Sequence, residues 1–515
     1  MSKLSDTRNQ SLSKRLDQIM EELYELQTRE VYETKLLYIY SGQLLPYVEE
    51  ALALEIKDRA ALDIAKQRIA PINLCTRITN KLAKTYVDGC DRDVDANTKD
   101  ADLLNYYEDS LKIDTVLARA DKLLELHKYC ALEPFFYNGK PAIRVLPADT
   151  FKVLSDDPYD TCYPTIFIKY LGTYNDKNET VDKFGAMTTT TIRVSEYEIW
   201  TDKEYLIIDL QDNNGVKSVN VKEDKLLEYG IVKDVEGLFL NPYGRIPFVY
   251  VKKEDFNLIP YPDTDTLQMT LLIPKLLTDL NYAAQFKAHS IFYGIDCEIN
   301  NISGNHDSFM QINSKEGSTA PQVGTITPSV DIAGVSQQIE LQVGLWLQSR
   351  GIRAGATGKP YDSQSISGVA KMIDEMDTTQ HRKESIQLWT QIEYQLWELI
   401  SYMHNMAWSQ LEWQYPEWRY EFSTDFCKNF SINFNQPDPG LSEADEIANI
   451  KALMDMGLIS KKTALGRLNP TLSEEQVEEV LSDIEMEKTN GSTEQPIQGV
   501  TENSEVVSPA DQVED

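Results

Sequence analysis

The longest helical pattern in the chain runs from about Ser367 to Trp408, and it restricts the fold more than any other feature. Val369, Met372, Ile373, Met376, Ile386, Trp389, Ile392, Leu396, Leu399, Met403 and Met406 recur at three- and four-residue spacing, the signature of one apolar face. At about 1.5 Å per residue such a helix spans roughly 60 Å. A small globular domain does not cover a face that long, so the stripe is read as core or subunit interface rather than as a ligand box.

Around it the pattern is mixed. Residues from about Ser11 to Tyr86 read as helices interrupted at Gly42 and Pro46, with Gly89 and the acidic cluster Asp91–Asp95 as the closing turn. Leu103 to Cys130 reads as a further helix. From Ala131 to about Lys253 short β-branched and aromatic runs alternate with turns: Ala142–Leu146, Thr165–Leu171, Thr191–Trp200, Tyr205–Leu210 and Phe248–Lys252. Asn138-Gly139 and Asn214-Gly215 are hairpin dipeptides, so this region is an antiparallel sheet on a helical layer. The fold class is therefore α+β, mainly helical.

Asp263 to about Ile291 is helical again, with a kink or break expected at Pro274. Cys297–Ile332 is a polar excursion carrying β-like runs at Phe309–Ile312 and Gln322–Ile326. Val335–Arg350 returns as a helix and Gly351 stops it. The glycine-rich stretch Ile352–Gln364 reads as a loop, with Ser365 or Ser367 as the cap of the long helix. A strand at Phe430–Phe434 precedes helices at Asp445–Met456, Lys461–Leu468 and Ser473–Lys488. Residues 490–515 form an aperiodic acidic tail expected to be disordered.

The chemistry-bearing patterns are sparse. Gly358-Lys359 resembles the end of a phosphate-binding loop, but Arg353 stands where the first glycine belongs and Pro360 replaces the magnesium-binding hydroxyl. His127, His289, His306, His381 and His404 fall in no metal-ligand spacing. The carboxylate pairs Asp156-Asp157, Asp263/Asp265 and Asp374/Asp377 are chance juxtapositions in a chain with 82 acidic residues. Six scattered cysteines without a CxxC fit free thiols in a reducing compartment. The polar N-terminus has no signal-peptide core, and no window suits a membrane span. No enzyme, cofactor or metal site is expected.

The balance of 50 Lys plus Arg against 82 Asp plus Glu gives a net charge of −32, which excludes adhesive nucleic-acid binding through bulk charge.

The order of segments, together with five local motifs, resembles the portal protein (head-to-tail connector) of tailed bacteriophages. The motifs are Ile72-Asn73-Leu74 to Val87-Asp88-Gly89, Tyr137-Asn138-Gly139-Lys140-Pro141 to Asp149, and the turn Asn241–Val249. The other two are Ser367-Gly368-Val369-Ala370, and Gly457-Leu458-Ile459-Ser460-Lys461-Lys462-Thr463 followed by Glu474 to Glu487. The likeness extends from about Leu37 to Lys488. It departs from the family at the N-terminal extension and at Val369, where a second small residue is frequent.

That resemblance implies a homo-oligomeric ring, typically a dodecamer, in the virion at one capsid vertex and assembled in the host cytoplasm. Double-stranded viral DNA passes through its channel during packaging and ejection. The implied partners are a terminase, a head-tail adaptor, and the major capsid protein or scaffold, with no membrane. It further implies a wing at 1–262, stem helices at 263–293 and 334–351, a clip at 294–333 and a tunnel loop at 352–366. The long wing helix and closing strand take 367–440, the crown 441–489 and the tail 490–515. Arg353 and Lys359 in the loop, with Lys275 and Lys287 on the first stem helix, are the expected phosphate-facing groups. The competing role for each is an ion pair with a neighbouring subunit. Alternative readings are another ring-forming phage component such as a head-tail adaptor, or a metal-dependent nuclease.

Overall fold

The computed structural model describes residues 12–94, 98–157, 162–181, 187–213, 216–235, 237–253, 256–288, 291–295, 297–300, 311–314, 322–326, 331–352, 368–411, 420–435, 447, 450, 451, 454, 459–468 and 480–482. The chain divides into two units, Met1–Gln436 and Pro437–Asp515.

In the first unit helices α1 (Leu12–Tyr40), α2 (Leu45–Glu55), α3 (Arg59–Lys66) and α4 (Leu74–Leu82) lead into strand β1 (Cys90–Val94). Then come α5 (Thr98–Leu111), α6 (Ile113–His127), β2 (Tyr129–Tyr137), β3 (Lys140–Leu146), β4 (Phe151–Leu154), β5 (Ile166–Val181), β6 (Met187–Trp200), β7 (Tyr205–Asn213) and β8 (Val216–Val221). The short α7 (Glu223–Glu228) and β9 (Val249–Lys252) precede α8 (Thr264–Ala288). Four strands follow, β10 (Ile291–Ile295), β11 (Cys297–Asn300), β12 (Gln311–Ser314) and β13 (Gln322–Ile326), then α9 (Ile332–Ser349) and α10 (Gly368–Leu411). The unit closes with α11 (Phe426–Asn429) and β14 (Phe430–Phe434). The fold is α+β.

Helix α10 has 44 residues and organises the helical core. Trp389 and Trp397 are fully buried, with Ile392, Leu396, Leu399, Ile400 and Met403 beside them. The stripe ends earlier than its period suggests, because Met406 is 40% exposed. Leu36 and Ile39 of α1, together with Tyr107, Leu117 and Leu124 from α5 and α6, share this core. A second core holds the other end of α1, Leu12, Leu16, Ile19 and Met20, against the five-stranded meander β4-β5-β6-β7-β8. Helix α1 thus ties the helical layer to the sheet.

The five strands expected between Ala131 and Lys253 and the first hairpin turn agree with their sequence signals. Asn138 (φ 49°) and Gly139 (φ 76°) form a left-handed pair closed by Tyr137 and Lys140, as a two-residue turn requires. Asn213 and Val216 pair around Asn214-Gly215, which lie outside the described residues.

Four readings are corrected. Leu103 to Cys130 is two helices and the start of β2, because Lys112 (φ 49°) and Lys128 (φ 70°) adopt left-handed conformations that end each helix. The acidic stretch after Gly89 is strand β1, held by backbone pairing to β14 far along the chain. Helix α8 is unbroken at Pro274 and stops before Ile291, which pairs with Ile326.

In the second unit, α12 (Lys461–Leu468) begins where the Ser460 Oγ accepts from the Thr463 N–H at 3.1 Å. The expected helix Ser473–Lys488, most of Asp445–Met456 and the acidic tail lie outside the described residues. Among the described residues no helix is long and apolar enough to cross a membrane.

Candidate functional site

Helices α8 and α9 form an antiparallel pair fastened at both ends. At one end β10 and β13 continue the two helices and pair from Ile291↔Ile326 to Ile295↔Gln322. At the other, Arg350 donates to both oxygens of Asp263 at 2.5 and 2.6 Å, a bidentate ion pair. Asp263 also caps α8, its Oδ1 accepting from the Thr266 N–H at 3.1 Å, and Lys128 lies 3.5 Å away. Burial alone would raise the Asp263 carboxyl, but the Arg350 hydrogen bonds and the Lys128 charge outweigh it and bring its pKa down to about 2.

The end of α9 is a Schellman motif. Gly351 takes φ 68°, the Ile352 N–H reaches the Leu347 carbonyl at 2.9 Å, and the Gly351 N–H reaches that of Gln348 at 3.0 Å. Leu347 and Ile352, each 1% exposed, belong to the small core that also holds Ile273, Ile339, Leu74 and Ile78. Here the expected glycine stop has its physical cause.

Apolar residues of α9 fall on more than one face, a pattern expected of a helix covered on two sides. Ile339 and Leu347 face the core, whereas Leu341 and Leu345 are 61% and 58% exposed. Between α4, α8 and α9 these leucines help line a groove of about 830 Å³, with Ile72, Leu277 and Val343 in its walls and Arg77, Lys81 and Glu340 among its polar residues. The alternation of apolar residues at 339, 341, 343, 345 and 347 carried this signal in the sequence.

Of the four expected phosphate-facing cations, Lys275 is bound to Glu55 of α2 in the same chain. Lys287 is on α8, and its side chain lies outside the described residues, as do Arg353 and Lys359. Of the four, only the Lys275 side chain is thus among the described residues. Asp156 is paired with Arg15, and Asp263 with Arg350, so neither carboxylate is left open to a metal by its own neighbours. The Asp374 and Asp377 side chains lie outside the described residues.

The three described histidines have structural surroundings, and His289 and His306 lie outside the described residues. His404 Nδ1 meets the Tyr107 hydroxyl at 3.0 Å and its Nε2 the Tyr420 carbonyl at 2.7 Å. His381 Nε2 lies 2.9 Å from Glu125, which also holds Lys253. His127 is fully buried with neither ring nitrogen hydrogen-bonded. Cys75, Cys90, Cys130 and Cys427 are free thiols, and burial pushes Cys75 and Cys90 up to about 12, so neither is a ready nucleophile.

No family model matches the chain, and no curated protein sequence matches it.

Proposed function

We propose that the chain is a portal-type subunit of a tailed bacteriophage. Copies of it form a ring at one capsid vertex, DNA passes through the ring, and the terminase and the head-tail adaptor dock to it. It acts as a structural channel and not as an enzyme. The observation that supports this reading most is the apolar groove on the α8/α9 pair. Two leucines more than half exposed, at i and i+4 beside that groove, form a surface that association would remove from water. A repeated head-to-tail contact at such a face generates a closed ring when the rotation between copies closes. The net charge of −32 suits a conduit, because acidic walls repel phosphate and let a duplex slide.

The pair Leu341→Asp and Leu345→Asp tests the reading. Each leucine contributes about 2 kcal/mol per contact if it is buried between copies. The double variant should keep the thermal midpoint of the isolated subunit and fall from the mass of a large assembly to that of a monomer in light scattering. An unchanged assembly mass would remove the groove from the interface.

A further inference from the structure

A second, smaller cleft lies away from the groove, and nothing in the proposed function uses it. One wall is the exposed side of α6, with Thr115, Val116 and Arg119; the other is β3, with Ile143, Arg144 and Val145, and Phe135 of β2 completes it. Its volume is about 360 Å³. Successive strand residues point to opposite faces, and Arg144 shares its face with Glu133 whereas Ile143 and Val145 share theirs with Pro134 and Leu132. A cleft lined by all three must therefore wrap the edge of β3. That edge is open to pairing, because the sheet order β3-β2-β9 leaves β3 with one neighbour. Every second residue of an edge strand turns its N–H and C=O outward, a template for an added strand.

The side chains specify what such a strand must carry. Arg119 is exposed and has no ion pair among the described residues. Arg144 stacks on Phe135 with its guanidinium carbon 4.5 Å from the ring centroid, and donates to Glu133 at 2.6 Å. Glu133 also holds Lys169 at 2.6 Å, so Arg144 is only one of its two cations. The cleft thus offers one uncompensated guanidinium, a second that is shared, the Thr115 hydroxyl and an apolar remainder. A polyphosphate or nucleic-acid backbone would bring repeated charge against Glu133. A single carboxylate next to an apolar side chain matches both the charge and the lining.

The geometry points to this cleft as a docking site for an extended acidic-apolar peptide segment of a partner protein, added as a strand along β3 with a carboxylate on Arg119 and Arg144. The site is independent of ring formation and stands or falls separately from it.

Fluorescence anisotropy of the full chain with a labelled, end-capped hexapeptide alternating valine and glutamate tests it. Binding should weaken about tenfold in Arg119→Gln, the scale of one charged hydrogen bond. It should weaken similarly when glutamine replaces glutamate in the peptide. N-methylation of the peptide backbone should abolish it, and Arg144→Gln should weaken it without shifting the thermal midpoint. No binding at millimolar peptide, equal binding of the glutamine peptide, or indifference to Arg119→Gln would overturn the assignment. So would displacement by inorganic phosphate or oligothymidine at lower concentrations than unlabelled peptide.

Discussion

Replacing Glu393 with alanine is expected to destabilise the first unit by about 3–5 kcal/mol, the cost of stranding a buried charge. Glu393 sits on α10 with no exposed surface, and both its oxygens accept from Arg92 of β1, at 2.6 and 2.7 Å. The Tyr86 hydroxyl donates to it at 2.9 Å and the Trp397 indole N–H at 3.3 Å. Without this carboxylate, the Arg92 side chain, 1% exposed, keeps Glu108 at 3.1 Å and Asp114 at 2.9 Å, both nearer the surface, and the Cys90 carbonyl at 3.4 Å. Tyr86 and Trp397 lose an acceptor in the same step. Removing both charges together, as Arg92→Met with Glu393→Leu, should recover most of the loss, because well-packed apolar pairs replace buried ion pairs at little cost. Denaturant unfolding at fixed protein concentration reads both results. A Glu393→Ala change below about 1 kcal/mol would mean that the network is dispensable.

The second large effect is acid sensitivity set by His127. It ends α6, is fully buried with both nitrogens unpartnered, and faces Lys152 and Lys128. Burial first, then those two cations, lower its pKa to about 3 from the usual 6.5. The folded chain therefore binds this proton less readily than the unfolded chain does. The stabilisation is complete above pH 6.5 and is lost as pH falls through the window towards 3, at about 1.4 kcal/mol per pH unit. Between pH 6.5 and 5 the loss is about 2 kcal/mol. Burial lowers His404 as well, giving a smaller effect of the same sign. Glu125 and Asp263, both held near 2 by their cations, act lower, where acid begins to protonate them in the unfolded chain. In His127→Leu the plot of stability against pH should flatten between 6.5 and 5. Parallel plots for the two proteins would show that His127 does not control this window.

What the sequence carried and what it did not divide along physical lines. Local signals sufficed for α10, for the Asn138-Gly139 turn and for the Gly351 stop, each decided by neighbours within a few residues. Strand β1 was illegible because Cys-Asp-Arg-Asp-Val has no apolar alternation, and its pairing to β14 comes from the backbone. Lys112 breaks a helix without a glycine, so no residue type marked the division. The ion pairs join partners far apart in sequence: 301 positions separate Arg92 from Glu393 and 220 separate Lys275 from Glu55. No periodicity encodes such distances. Lys275 accordingly read as phosphate-facing or paired with a neighbouring subunit, and its pairing with Glu55 of the same chain was not legible.

The proposed function requires that copies of this chain close into a ring around a channel. Single-particle images of the purified chain, taken over a hundredfold range of concentration, decide this. Closed rings are expected, of one predominant subunit number and with a central hole wide enough for duplex DNA. Compact monomers at every concentration, or open filaments without closure, would contradict it.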